Sequence, residues 1–513
     1  MPKYYLRIEA VNLSNFVYDT VKIQPMRGGS YLLLECAGEL GGKDFGGIKL
    51  VKIMAGASIG LFWFEVPDNN GEISKKAEGV TAEVSKFLNE KTDGHATFVV
   101  DIILYTDENN FLNDTETLTA MNRWRQFQQP TLILPEVFAN SSNEPCAYDG
   151  VRPGVVTNQT SDGCISDSVN FRKTKGCDLR SSIYKRIIGG TEPNARPCLL
   201  GGLSSIYKRI IGGTELRDDF TDDLESLSLM PSMGNLNGKM AVFYVDGNKF
   251  TKIRGKTCTA DKELTAFDDK LQSLNKSFLK SLLKDAKSDP CFKTKDGKIR
   301  LEILLWGGDE IELIVPAWKG LEVMSLYYET MKDANFSECS ITYGGGVVFC
   351  NHKTPIREVR KTVRALADMA KKGVPDDVDK IKGDVHNVCH YLVLESFEVV
   401  GKDVNGFVKQ YYRSRYDDLV ITPATMDNVM KTIKLMKQKK FPRNKIFDII
   451  HALRSGSGAT AIKDILERAL SGIDAADRTT LKEKIDAVIV DKINRWFWFA
   501  DLWDYAGNSE VQI

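Results

Sequence analysis

The sequence predicts an α+β protein: two ferredoxin-like palm domains, an irregular insert between them, and a helical C-terminal domain. Three observations predict it. Residues 1–137 alternate strand-like and helix-like segments, and residues 236–419 carry the order strand, helix, strand, strand, helix, strand. Residues 420–513 show helical spacing with a Gly/Ser break at "RSGSGAT" and an aromatic end, "RWFWFADLWDYA". At 513 residues the chain exceeds one ordinary core, as several domains require.

In the first domain (1–137), "YYLRIEAVNL", "ASIGLFWFEV", "HATFVVDIILY" and "PTLILP" read as strands. Lys75–Lys91 and Asp114–Gln128 have helical periodicity, which implies an antiparallel sheet with helices on one face. The insert (138–235) is rich in turn residues and holds a repeat. "SSIYKRIIGGTE" occurs at 181–192 and again at 204–215, offset by 23 residues. Two copies are too few to build a solenoid, so a duplicated loop or short helix is expected.

In the second palm (236–419), "KMAVFYVDGNKF" is a strand entering a turn, and Asp261–Lys287 is a long helix. A hairpin over 298–316, a helix near 319–333, the strand "CSITYGGGVVFC", a helix over Pro355–Lys372 and the strand "CHYLVLESFEVV" follow.

Lys+Arg and Asp+Glu are both 69, so no global field draws the chain to nucleic acid or an anionic membrane. The N-terminus has no apolar signal region, and nothing approaches a membrane-spanning run. The ten cysteines contain no CxxC and read as reduced, mostly buried thiols. A cytoplasmic protein with no membrane partner is expected.

The chemistry is concentrated in the second palm. Gly307, Gly308, Asp309 and Glu310 form the hairpin tip, and Gly-Gly-Asp alone is ordinary turn chemistry. Adjacent carboxylates repel, however, and a cation would cancel that repulsion. Asp246 ends the first strand of the same βαββαβ unit, so three carboxylates are expected to converge at one sheet edge, where oxygen-rich Mg²⁺ (or Mn²⁺) sites form. Gly247, Gly307 and Gly308 leave room for a triphosphate, and backbone N–H groups after Asp246 can face phosphate oxygens. Metals held this way lower the pKa of an attacking hydroxyl and stabilise leaving pyrophosphate.

The pair "YVDGNKF" and "LWGGDEIELIVP" resembles the catalytic palm of the polymerase/cyclase large subunit of type III CRISPR effector complexes, a GGDEF-related family. "ITYGGGVVFCNHKTPIREVRKTVRALADMAKKG", "HYLVLESFEVVG", the N-terminal "VNLSNFVYDTVKIQPMRGGSYLLLE" and "PCAYDGVRPG…SDSVNFRKTKG" extend the resemblance over most of the chain. It implies synthesis of a cyclic oligonucleotide messenger for antiviral defence from nucleoside triphosphates, with ATP as substrate. The reaction is attack of a 3′-hydroxyl on an α-phosphate. Asp246, Asp309 and Glu310 would be the catalytic metal ligands. Gly247, Asn248, Lys249 and Phe250 would approach the nucleotide, and Lys371 or Lys372 would reach phosphates. RNA, CRISPR-type subunits and self-association are the implied partners.

The departures are specific. The family usually reads GGDD where this chain has Glu310, a ligand one methylene longer. No His-Asp dipeptide occurs, so the nuclease domain often fused to this family is expected to be absent. Cys146, Cys164, Cys177 and Cys198 lack paired spacing, and Asp149 stands where the second Cys of a CxxC would fall, so structural zinc is not expected. A catalytically inactive palm scaffold in an RNA-guided ribonucleoprotein is the alternative.

Two further features carry less. The basic run Lys431, Lys434, Lys437, Lys439, Lys440, Arg443 and Lys445 reads as a solvated helix face before it reads as an RNA contact. Each "YKRIIGGTE" resembles the activation junction of trypsin-like proteases, with cleavage after Arg186 or Arg209. No GDSGG motif occurs, so the chain would be substrate rather than protease, and coincidence in a flexible loop is the stronger reading.

Overall fold

A computed structural model describes the chain except residues 12, 68–72, 108–109, 130–140, 190–219, 396–399, 402, 413–418, 491 and 507–513. In the N-terminal region, β1 (Lys3–Ala10), β2 (Val51–Ala55), β3 (Ile59–Glu65) and β4 (Phe98–Leu104) form a sheet in the order β2-β3-β1-β4. Its three pairings are antiparallel. With α1 (Ile23–Leu40) after β1 and α2 (Ile73–Lys91) before β4, this is the ferredoxin-like βαββαβ order. Leu6 and Ile8 of β1, Phe62 and Phe64 of β3, and Ala77, Val80, Val84 and Leu88 of α2 share one core. The last four recur at helical spacing, which is why that segment buries a single stripe. A third helix, α3 (Phe111–Gln126), follows β4. The expected strand "PTLILP" lies outside the described residues.

Helix α1 is the element that periodicity missed. Pro25 falls in its first turn, where a proline is tolerated. Gly28 and Gly29 look like helix breakers but serve a close crossing with α4 (Asp167–Gly189). A Cβ on Gly28 would lie 1.7 Å from the Arg172 carbonyl oxygen, and one on Gly176 would lie 2.3 Å from the Gln24 carbonyl oxygen. Backbone meets backbone here.

The described part of the insert holds defined secondary structure despite its turn-rich composition. Its hairpin pairs β5 (Ser141–Pro145) with β6 (Pro153–Val155). Asp149 accepts backbone N–H bonds from Val151 and Arg152, each 2.9 Å, and pairs with the Arg152 guanidinium at 2.8 Å. Arg152 also pairs with Asp19 and donates to the Asn15 carbonyl. An ion-pair network therefore occupies the knuckle where the resembled family would place cysteines. The first repeat copy continues α4 as helix through Gly189, the helical form of the expectation, while its last three residues and the second copy, with Arg209, lie outside the described residues. Arg180 donates to the Thr221 carbonyl at 2.8 Å.

The second sheet contains β7 (Lys239–Gly247), β8 (Glu302–Trp306), β9 (Glu310–Pro316), β10 (Tyr343–Asn351) and β11 (Val388–Val393), in the order β8-β9-β7-β10-β11. The first four reproduce the ferredoxin-like order, and β11 adds a fifth strand parallel to β10. Residues 240–245 are buried without alternation, as a strand covered on both faces requires. The helices are α5 (Phe250–Thr257), α6 (Asp261–Ser288), α7 (Gly320–Met331) and α8 (Ile356–Ala370). A Cβ on Gly346 would sit 2.1 Å from the Val363 carbonyl oxygen of α8.

The C-terminal region is helical as expected: α9 (Val404–Tyr412), α10 (Pro423–Gln438), α11 (Arg443–Arg454), α12 (Ala459–Leu470), α13 (Ala475–Ile489) and α14 (Trp496–Asp501). Thr422 caps α10 before Pro423, and the Gly/Ser break separates α11 from α12. Trp496, Phe497, Trp498 and Phe499 are buried. The basic run is largely committed: Lys431 to Asp427, Lys439 to Asp477, Arg443 to Asp504, Lys445 to Asp448, and Lys437 to the Ala506 carbonyl.

The described residues divide into two compact units. One is Met1–Asp223 with Lys249–Lys284 and Ile303–Glu312, and the other is Leu224–Asn248 with Asp285–Glu302 and Leu313–Ile513. All nine cysteines among the described residues are free thiols, and no described helix is long and apolar enough to cross a membrane.

Candidate functional site

Asp246 stands one residue before the end of β7, in antiparallel register with Gly344 of β10. Lys371, in the 3-10 turn that ends α8, ion-pairs with the Asp246 carboxylate and donates to the Gly247 carbonyl at 3.3 Å. Gly344 makes this reach possible: a Cβ there would fall 2.3 Å from Lys371 Cγ. Lys372, one residue on, is exposed.

Asn248 is buried and supports the strand end. Its amide nitrogen donates to Thr342 Oγ1 at 3.0 Å and to the His386 carbonyl at 2.8 Å. Lys249 adopts a left-handed conformation (φ 56°) immediately before α5. Phe250 is buried edge-on against Phe267, with ring centroids 5.6 Å apart. Asn248 and Phe250 thus hold the "DGNKF" turn in shape, while Gly247 and Lys249 provide its backbone path.

The hairpin tip is closed by a 2.7 Å bond from Gly307 N–H to the Glu310 carbonyl. Gly307, Gly308, Asp309 and Glu310 are all partly accessible. Among the described residues a Cβ on Gly308 would meet only Asp268 Oδ1, at 3.8 Å, so the space over this glycine is open there. Neither glycine has a left-handed φ, so room rather than backbone conformation is what Gly308 provides.

Two residues beneath the tip were not among the expected site residues. Asn275 Nδ2 of α6 donates to both the Gly307 and Gly308 carbonyls, at 3.3 and 3.0 Å. Asp268, one face with Gln272 and Asn275, accepts from Gln272 at 2.5 Å and from Lys52 at 3.4 Å. Burial lifts its carboxyl to a pKa of about 6, against the pull of Lys52. The available signal was a polar stripe at i, i+4 and i+7 in a helix whose neighbours Phe267 and Leu271 are apolar and buried.

The carboxylates of Asp246, Asp309 and Glu310 are hard oxygen donors of the kind that suit Mg²⁺. Among the described residues no group of three or more His, Cys, Asp or Glu side chains stands ready to hold a metal ion. An ammonium, that of Lys371, is what Asp246 holds.

No family model and no curated protein matches the chain. Solved structures do. The chain is similar to the Csm1-Csm4 cassette in complex with cA3, at 11% identity over 97% of this chain and 70% of that one, with a TM-score of 0.52. It is likewise similar to that cassette in complex with cA4, at 12% identity, the same coverage and a TM-score of 0.51. A third match is the Csm1-Csm4 subcomplex in the type III-A CRISPR-Csm interference complex, at 12% identity over 97% and 70% of the two chains and a TM-score of 0.47. Two palm-like sheets in ferredoxin-like order followed by a helical region are therefore the fold of Csm1, and this chain has that fold.

Proposed function

We propose that this chain is a nucleotidyltransferase subunit of a CRISPR-type effector, condensing nucleoside triphosphates, ATP first among them, into a cyclic oligonucleotide for antiviral signalling. The observation that carries the reading is the strand order. β7, which ends at the "DG" turn, has β9, which begins at the "GGDE" turn, as its neighbour in the sheet. The fold shared with structures that hold cA3 and cA4 supports it. In this reading a 3′-hydroxyl attacks the α-phosphate of the next nucleotide and pyrophosphate leaves. The open space over Gly308 admits phosphate, and Lys371, with its flexible stem crossing Gly344, contributes an ammonium to phosphate oxygens. Asp246, Asp309 and Glu310 supply the negative charge of the site.

A specific observation favours the second reading, a palm scaffold without catalysis: the Asp246 carboxylate is already neutralised by Lys371. Incubating the full chain with labelled ATP or GTP plus Mg²⁺ or Mn²⁺, and weighing the products, separates the two. Cyclic or linear oligonucleotides with released pyrophosphate support catalysis. Nucleotide binding without turnover, with and without RNA and partner subunits, supports the scaffold.

A further inference from the structure

We propose that Asn275 is a positioning residue for the Gly307–Glu310 turn, fixing where Asp309 and Glu310 stand by holding both glycine carbonyls from beneath. The proposal deepens the nucleotidyltransferase reading and rests on it for its catalytic consequence.

Two consecutive glycines have more backbone freedom than any other pair, so a Gly-Gly tip does not choose its own conformation. The bond from Gly307 N–H to the Glu310 carbonyl closes the hairpin but leaves the peptide planes after Gly307 and Gly308 free to rotate. Those planes are the ones Asn275 takes. One side-chain nitrogen reaches the Gly307 carbonyl at 3.3 Å and the Gly308 carbonyl at 3.0 Å, using both of its hydrogens on adjacent peptides. The plane after Gly308 contains the Asp309 N–H, so fixing its carbonyl also sets the direction from which the Asp309 and Glu310 side chains leave.

Asn275 is 1% exposed, and its Oδ1 has no hydrogen-bond partner among the described residues. A buried amide with an idle acceptor is a poor choice for packing alone, since an apolar residue would fill the same volume without desolvating a polar atom. Its donor side explains its presence. The face is continued by Gln272 and Asp268, and Asp268 Oδ1 lies 3.8 Å from where a Gly308 Cβ would stand. Lys52 of β2, 3.4 Å from Asp268, ties this face to the N-terminal sheet. The acids therefore sit on a turn whose backbone is held by a buried side chain of a 28-residue helix.

The test compares Asn275→Leu, which removes both donors at similar volume, with Leu279→Ala, which weakens the same helix at a fully buried position one turn on. Hydrogen exchange at the Asp309 and Glu310 amides of the nucleotide-free full chain is expected to quicken at least tenfold in Asn275→Leu, and to follow only global stability in Leu279→Ala. Product formation from ATP is expected to lose at least tenfold in kcat with KM within twofold in Asn275→Leu, and to be retained in Leu279→Ala. Unchanged exchange at the turn in Asn275→Leu overturns the proposal, as does an equal kcat loss in Leu279→Ala. If the unsubstituted chain makes no product under any condition, the nucleotidyltransferase reading is what fails, and the exchange result alone decides the positioning role.

Discussion

Lys371 reaches Asp246 over the bare backbone of Gly344, so a lysine from the end of α8 neutralises the acid at the end of β7. Replacing Lys371 with Met keeps the stem and removes the charge. The pair is partly exposed, at 20% and 27%, so the loss of stability is expected to be about 1 kcal/mol or less. KM for ATP is expected to rise at least about tenfold, the equivalent of ~1.4 kcal/mol of lost phosphate contact. Steady-state kinetics checks this, and an unchanged KM removes Lys371 from the nucleotide site.

Asp246→Ala and Glu310→Ala are expected to reduce product to background while the thermal midpoint moves by only a few degrees. Both carboxylates stand at partly accessible strand ends, so neither is part of the core. Near-normal turnover in both would show that these acids do not carry the chemistry.

Glycines of the two motifs should respond in opposite ways. Gly308→Val puts its branches into open space at a position without left-handed φ, so stability should change by no more than about 0.5 kcal/mol while nucleotide affinity falls. Gly346→Ala sets a methyl against the Val363 carbonyl, where α8 lies on the sheet, and should cost about 1–3 kcal/mol or more. Denaturant titration paired with nucleotide-binding calorimetry distinguishes them; a destabilised Gly308→Val would mean the tip is structural.

Asp268 gives a pH dependence. Burial raises its folded pKa to about 6, above the ordinary value of 3.8, so between those values the folded chain holds a proton that the unfolded chain has lost. Its contribution therefore falls as pH rises from about 4 to 6 and stays low above that, by at most about 3 kcal/mol. Asp268→Asn should abolish this part of the slope, and unfolding free energies at pH 4.5 and 7.5 for both proteins measure it. An identical slope would place Asp268 outside the titration.

The insert's knuckle should be indifferent to metal. Arg152, 3% exposed, pairs with Asp149 and Asp19 together; Asp19 keeps Arg172, but Arg152→Met leaves the fully covered Asp149 carboxylate without that cation and should cost about 3–5 kcal/mol. Prolonged EDTA treatment should leave the melting temperature of the unsubstituted chain unchanged. A drop on chelation would reveal a structural metal there.

Much of the second palm was readable because its strands are long apolar runs and its helices are strongly periodic. The hairpin, the 28-residue helix and the glycine-rich strand fall where spacing put them. Helix α1 was not readable, because Pro25, Gly28 and Gly29 lower local propensity, and the reason for those glycines is a carbonyl on a helix more than 140 residues away. Asn275 was hidden for a related reason. The polar stripe it forms with Asp268 and Gln272 reads as a solvated helix face until the glycines it holds are folded above it. Asn248 and Phe250 illustrate the converse: their motif was legible, but their side chains turn inward to brace it.

The Arg180–Thr221 bond brings two points 41 residues apart in sequence to one spot. The segment between them, which begins with the last turns of α4, leaves and returns at this bond and so forms a closed loop in the topological sense. The cost of closing such a loop grows with the logarithm of its length, so adding a 23-residue copy of a segment already there raises it by under about 1 kcal/mol. At this clasp the chain can gain or lose a whole repeat at a small thermodynamic cost, which makes the duplication there a cheap event for selection to tolerate.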